Sequence, residues 1–198
     1  MQNTIKKYIP EASTYLVIDL LNKYPHELKI VNQRETKHGD FRRTNNGNYQ
    51  ITINNSLNQY QFLLTLIHEI AHLATHLEYK RVKPHGIEWK ISFQHLMLPF
   101  VNPSIFPMSI LPHLANYLKN PKASTDSDVN LSLAMKQFNE KSDKSFIFEI
   151  PLNSTFLFKN KAYIRKNKRR TRFECLELNT KRIYLFNQNA EVELVTTK

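Results

Sequence analysis

Between residues 57 and 79 the apolar positions repeat with a helical period. Phe62, Leu63, Leu66, Ile67, Ile70, Leu73, Ala74 and Leu77 cover most of one helix's circumference. Thr65, His68, His72 and His76 form the narrow polar stripe that is left. A helix this apolar is expected to be central, with its one polar stripe facing a cleft. Ser56 and Gln59 have the S-x-x-Q spacing of a capping box at its start.

The flanking elements are shorter. Residues 11–23 carry Tyr15, Leu16 and Ile18 to Leu21 at helical spacing after Pro10, and Tyr24-Pro25 closes that helix. Residues 26–33 read as a short strand, and 37–50 as turn-rich. Tyr49, Ile51 and Ile53 alternate with polar neighbours, the period of a half-buried strand. A helix over about 87–98 stops at Pro99, and four prolines from Pro99 to Pro112 mark irregular packing. Residues 109–120 and 131–138 suit short helices, with a linker or surface loop between them.

From Ser145 onward six strand-like runs, "SFIFEI" to "EVELV", are separated by polar breaks. The chain therefore reads as α+β: a helix–sheet domain over 1–120, a linker with a short helix over 121–144, and a small antiparallel β module over 145–198.

Charge sharpens that division. The net charge is +11, and Lys159 to Arg182 alone holds ten Lys/Arg against two Glu. Arg165, Lys166, Lys168, Arg169, Arg170 and Arg172 lie within eight residues. Charge this concentrated points to a polyanion, of which nucleic acid is the commonest in a cell; the plainer reading is a solvated basic face. Only three glycines and one cysteine occur among 198 residues. No Gly-rich nucleotide loop is present, and Cys175 alone makes neither a disulfide framework nor a four-cysteine zinc site. The N-terminus lacks the segments of a secretory signal, and no run of 18 apolar residues occurs. The expected setting is cytoplasmic and reducing, away from membranes.

The candidate chemistry sits in the polar stripe. In His68-Glu69-x-x-His72 the two histidines share one helix face, one turn apart, and can converge on an ion. Glu69 is rotated about 100° from His68, outside direct ligation but beside an open position, where a carboxylate can take a proton from water. The plainer alternative is a helix that merely carries a polar stripe. A third ligand is needed. His76 lies eight residues from His68, about 12 Å along the axis, too far to share one ion. His85 is reachable through a loop that Pro84 stiffens and in which Gly86 permits an unusual backbone angle or a close contact. Glu88 is the rival. Three neutral histidines leave more charge on the metal for activating water, so Glu88 is assigned to packing or to orienting a ligand. Trp89 is read as a core anchor, and His26, His38, His95 and His113 as ordinary.

With these residues in view, "HEIAHLATHLEYKRVKPHGIEWK" resembles the SprT-like metallopeptidases, in the H-E-x-x-H helix and in the P-H-G-x-E-W-K opening of the next one. The strand "YQITINNSL" resembles the segment that precedes the family's active-site helix. The likeness covers about residues 10–100, and 145–195 by layout. It implies a zincin-like fold, one zinc on His68, His72 and His85, Glu69 as general base, and an association with DNA. Many relatives end in a zinc ribbon with two cysteine pairs. Here residues such as Phe156, Phe158 and Leu185 stand at the expected positions, so a module that has lost its cysteines and holds no metal is expected.

The leading expectation is a zinc endopeptidase that binds DNA, single-stranded or irregular, and acts on protein substrates near or crosslinked to it. The strand at 49–53 is expected to align an extended substrate. The alternative is a nucleic-acid-binding adaptor with a structural three-histidine zinc site; Glu69 argues against it, because a structural site needs no base.

Overall fold

A computed structural model describes residues 2–34, 36–79, 81–140 and 143–195. The chain is α+β and divides into two compact units, Met1–Asn139 and Glu140–Lys198.

The first unit opens with a helical turn at Gln2–Ile5, a 3-10 turn at Glu11–Ser13 and helix α1, Thr14–Lys23. Strands β1 (Glu27–Val31), β2 (Gly39–Arg43) and β3 (Tyr49–Asn54) form a three-stranded sheet in the order β1-β3-β2. β1 runs parallel to β3, and β2 antiparallel to it. Helix α2, Gln59–Glu78, lies against β2, β3 and helix α3, Ile87–Met97. Helices α4, Leu111–Leu118, and α5, Val129–Lys136, complete the unit.

The apolar circumference of α2 does what its period implies. Phe62, Leu63, Leu66, Ile67, Ile70 and Leu73 are fully buried. Most of them join Ile51 and Ile53 of β3 and Trp89, Phe93 and Met97 of α3 in one core. The capping box at Ser56 is not used. Asn58 is the N-cap, and its side-chain oxygen accepts from the backbone N–H groups of Tyr60 (3.1 Å) and Gln61 (3.0 Å). Ser56 lies outside the helix that begins at Gln59.

Two expectations about the sheet are corrected. The turn-rich stretch contains a strand, β2, which its Gly-Asp-Phe-Arg-Arg composition hides. β3 is the central strand and not half-buried: its polar face is covered too, with Gln50, Thr52 and Asn54 all buried. Side chains from the flanking segments satisfy that face. Arg42 Nε donates to Gln50 Oε1 (2.9 Å), and the Arg34 guanidinium donates to Asn54 Oδ1 and Thr52 Oγ1 (2.9 Å each). With neighbours on both sides, β3 has no free edge to align a substrate.

The edges belong to β1 and β2, and β2 is the edge strand that lies against α2. Asn54 N–H donates to His38 O and Thr44 N–H to Asn48 O. Antiparallel pairs alternate between bonded and unbonded, so Asp40 and Arg42 turn their main-chain groups to β3, whereas Gly39, Phe41 and Arg43 turn theirs outward.

The second unit is a six-stranded antiparallel sheet in the order β4-β9-β5-β6-β7-β8. Its strands are β4 (Ser145–Phe146), β5 (Thr155–Phe158), β6 (Lys161–Arg169), β7 (Arg172–Glu177), β8 (Ile183–Asn187) and β9 (Glu191–Leu194). Ile147, Ile150, Phe156, Tyr163, Phe173, Cys175 and Val192 form its own core. Phe156 is buried and Phe158 packs beside it, but Leu185 is exposed on β8. No helix among the described residues is long and apolar enough to cross a membrane.

Candidate metal centre

His68 and His72 come from one face of α2, four residues apart, as the helix period requires. His85 reaches them from the loop ahead of α3. Its φ of 57° places a non-glycine residue in the left-handed region, at a cost of roughly 1–2 kcal/mol. The unusual backbone angle thus falls on His85 itself and not on Gly86. Gly86 supplies the close contact: a Cβ there would lie 2.9 Å from the carbonyl oxygen of Lys83, which accepts the Gly86 N–H (2.8 Å). That turn holds His85 aimed at the helix.

The three Nε2 atoms meet. They are 3.3 Å apart for His68 and His72, 3.0 Å for His72 and His85, and 3.2 Å for His68 and His85. A neutral imidazole nitrogen is either donor or acceptor, so three of them cannot satisfy one another; at most one can donate to the others. Convergent lone pairs of this kind call for a cation. Tetrahedral Zn–N bonds of about 2.0–2.1 Å imply ligand nitrogens about 3.3–3.4 Å apart, close to the observed spacing. His68, His72 and His85 are therefore able to hold a metal ion.

Their surroundings keep them neutral. Burial, then His72 and His85, hold His68 down to about 3. Burial and His85 hold His72 at about 4, and burial lowers His85 as well. All three rings rest on Trp89, at 4.6, 5.3 and 4.7 Å between centroids, and Trp89 stacks on Phe93. Trp89 is the core anchor expected of it, and it also serves as the floor of the centre. Its indole Nε1–H is buried without a partner among the described residues.

Glu69 stands apart from the three nitrogens, packed against the edge of the sheet. The outward N–H of Phe41 donates to its carboxylate. A side chain at Gly39 would collide with it: a Cβ there would lie 2.8 Å from Glu69 Oε1 and 2.7 Å from Thr65 Cγ2. Burial and the nearby Asp40 push the carboxyl up to about 8, against the opposing pull of the Phe41 N–H, Arg34 and Lys37. Sequence reasoning missed Gly39 and Phe41. Glycine's scarcity was the available signal, because each of three glycines in 198 residues invites a reason.

The remaining candidates fall elsewhere. His76 is exposed and packs on Phe41 and Tyr49. Glu88 lies in the first turn of α3, against Gly86, and is not among the converging ligand atoms. His38 pairs with Asp126 at 3.0 Å.

In the second unit Arg165, Lys166, Lys168, Arg169, Arg170 and Arg172 occupy the β6–β7 hairpin. Arg169 pairs with Arg172 across a two-residue turn at whose first position Arg170 has φ 56°. The six are not equivalent. Arg165 is half-buried, its guanidinium 4.3 Å from the Phe173 ring centroid, and Lys166 donates to Asn153 Oδ1 (3.0 Å). Lys168, Arg169, Arg170 and Arg172 are exposed together at the tip.

Comparison with known proteins finds a likeness over the stretch that holds the centre. Residues 20–105 match the profile of the SprT-like family. Protein SprT from Proteus mirabilis (strain HI4320) is 34% identical over 94 residues, covering 46% of this chain and 52% of that protein. The chain thus spans about half the length of the curated relative it matches. No solved structure matches significantly. The likeness to the SprT-like family is shown over residues 20–105, the stretch that contains all three histidines and Glu69.

Proposed function

We propose that the SprT-like region is a zinc-dependent endopeptidase of zincin type, with His68, His72 and His85 as zinc ligands and Glu69 as general base. The observation that carries this reading is the triangle of imidazole nitrogens 3.0–3.3 Å on a side, with a buried carboxylate on the next residue of the helix. A structural site has no use for that carboxylate.

Zinc, when bound, supplies Lewis acidity toward a carbonyl oxygen and lowers the pKa of a water. The chain supplies the rest. Three neutral imidazoles, His68 buried and His72 and His85 half-buried, offer their lone pairs without competing protons. The Phe41 N–H fixes the Glu69 carboxylate at the sheet edge, and burial makes that carboxylate a strong proton acceptor. Glu69 takes a proton from the attacking water and returns it to the leaving amine, the general-base and general-acid halves of hydrolysis. An extended substrate pairs with the outward main-chain groups of β2 that Glu69 leaves open, the Phe41 carbonyl and the Arg43 N–H and carbonyl, since Gly39 is packed against Thr65 and Glu69.

The second unit is a metal-free, nucleic-acid-binding module in this reading, and the peptidase acts on proteins near or crosslinked to DNA. The four exposed cations at the hairpin tip support it. Apolar packing stands in for a metal: Cys175 is buried with Phe156, Tyr163 and Phe173 in the core of the sheet, and the sequence has no second cysteine to pair with it as a ligand. Metal analysis of the purified protein tests both parts. One zinc per chain is expected, unchanged in Cys175→Ser. Two zincs, one of them lost in that variant, would remove the metal-free module.

A further inference from the structure

Beyond the metal ligands, the polar stripe of α2 ends in an aromatic cluster whose side chains the hydrolytic machinery does not use. His76 follows His72 by one helical turn, about 6 Å along the axis. Its ring lies 5.9 Å from Phe41 and 5.5 Å from Tyr49, and the Phe41 and Tyr49 rings are 6.0 Å apart. These three residues come from three elements, α2, β2 and β3. Unlike the aromatic residues of the core, they are not sealed: His76 is exposed, and Phe41 and Tyr49 are half-buried.

The register of β2 gives the cluster its place. Phe41 turns its main chain outward at the free edge, where its N–H meets Glu69. Its side chain turns toward α2, because it contacts His76. A peptide strand added to this edge alternates its side chains between the two faces of the sheet. The side chains on the α2 face arrive beside Phe41 and over His76. That surface consists of ring faces and edges, and offers an aromatic side chain the tilted contacts that such rings favour. A large aliphatic side chain also fits its apolar character.

We infer that Phe41, Tyr49 and His76 form a specificity subsite that receives an aromatic or large aliphatic side chain close to the reacting peptide group. This rests on the peptidase reading and deepens it by naming a substrate class. Pairing along the edge depends on main-chain groups alone and carries no sequence preference, so selection falls to the pockets that the alternate side chains enter. The neighbouring face cannot provide it, since β3's polar side chains there are already engaged by Arg34 and Arg42.

Two metal-directed probes test the subsite without relying on turnover: acetyl-phenylalanine hydroxamate and acetyl-glycine hydroxamate, titrated into the zinc-loaded full chain by calorimetry. The benzyl probe is expected to bind roughly tenfold tighter or more, the discrimination an apolar pocket gives for a missing side chain. In His76→Ala and Tyr49→Ala that ratio falls toward one, while the glycine probe keeps its wild-type affinity. His76 is exposed, so its variant reports even where Tyr49→Ala disturbs the sheet. Equal binding of the two probes to the wild type, or an unchanged ratio in His76→Ala, overturns the subsite and leaves the metal centre standing. Failure of both probes to bind overturns the metal centre, and the subsite with it.

Discussion

Among the described residues two glutamates lie almost wholly inside the protein, Glu69 in the first unit and Glu177 in the second, and their surroundings are opposite. Glu177 is 2% exposed and well supplied: Thr180 Oγ1 donates to it at 2.7 Å, and Lys161 pairs with it at 3.2 Å. These partners, the Thr180 hydroxyl first, hold its carboxyl below the usual range. Glu69 is 7% exposed, and no cation lies within ion-pair distance of it among the described residues. Its carboxyl is pushed up to about 8. A buried charge that is fully paired ties strands together. One left short of partners keeps its appetite for a proton, which is the property a base needs.

The same contrast separates Cys175 from the three histidines. Cys175 has apolar neighbours and a hydrogen bond to the Phe173 carbonyl (3.7 Å), and nothing near it asks for an ion. The three histidines present nitrogens that cannot satisfy one another.

The sharpest way to break the comparison is to remove one of the three proposed ligands. His85→Ala is expected to lose tight metal binding altogether, whereas Glu88→Ala keeps one zinc per chain. Metal content after dialysis measures both, and the reverse pattern would make Glu88 the third ligand.

A smaller effect concerns the hairpin. Reversing the charges of Lys168, Arg169 and Arg170 is expected to weaken single-stranded DNA binding across all sequences while zinc content stays at the wild-type level. In the wild type, affinity should fall with salt at a slope of about −0.7 per contacted phosphate. Fluorescence anisotropy at several salt concentrations follows this, and binding indifferent to salt means the cluster is only a solvated surface.

The smallest effect is protonic. Ordinary imidazoles, with pKa about 6.5, are roughly three-quarters protonated at pH 6. His68 at about 3 and His72 at about 4 carry no proton there. Zinc uptake at pH 6 should therefore release essentially none from these two. Calorimetry in buffers of different ionisation enthalpy measures the count, with Glu69→Gln used so that the carboxyl adds nothing. The unfolded chain binds more protons than the folded one from about pH 6.5 down to 3–4. The metal-free variant should accordingly lose stability as pH falls through that window, and these histidines should make no demand above it.

The parts of the centre that could be read from sequence are those set by helix period. His68, Glu69 and His72 are three positions on one uninterrupted helix, and their relative directions follow from 3.6 residues per turn. His85 was accessible through chain reach, though its left-handed backbone was not, because that conformation usually points to glycine and Gly86 stood next to it. What stayed hidden depends on contacts between distant segments. β2 has no alternating apolar run, and it is held by pairing with β3 and by the fit of Gly39 against Glu69. The burial of Gln50, Thr52 and Asn54 comes from Arg34 and Arg42, which no local pattern predicts. The C-terminal strands were legible as alternating runs, but "SFIFEI" is a strand only at Ser145–Phe146, and the rest turns inward to place Ile147 and Ile150 in the core.

The most direct test of Glu69 as the base of a three-histidine zinc peptidase is proteolysis of a protein substrate, with and without single-stranded DNA, by Glu69→Gln and Glu177→Gln beside the wild type, with zinc measured in the same samples. Glu69→Gln should hold one zinc per chain and lose activity by about 10²–10⁴-fold, the usual cost of removing a general base. Glu177→Gln should melt at a lower temperature and cleave at the wild-type rate. Undiminished proteolysis by zinc-loaded Glu69→Gln would contradict the account.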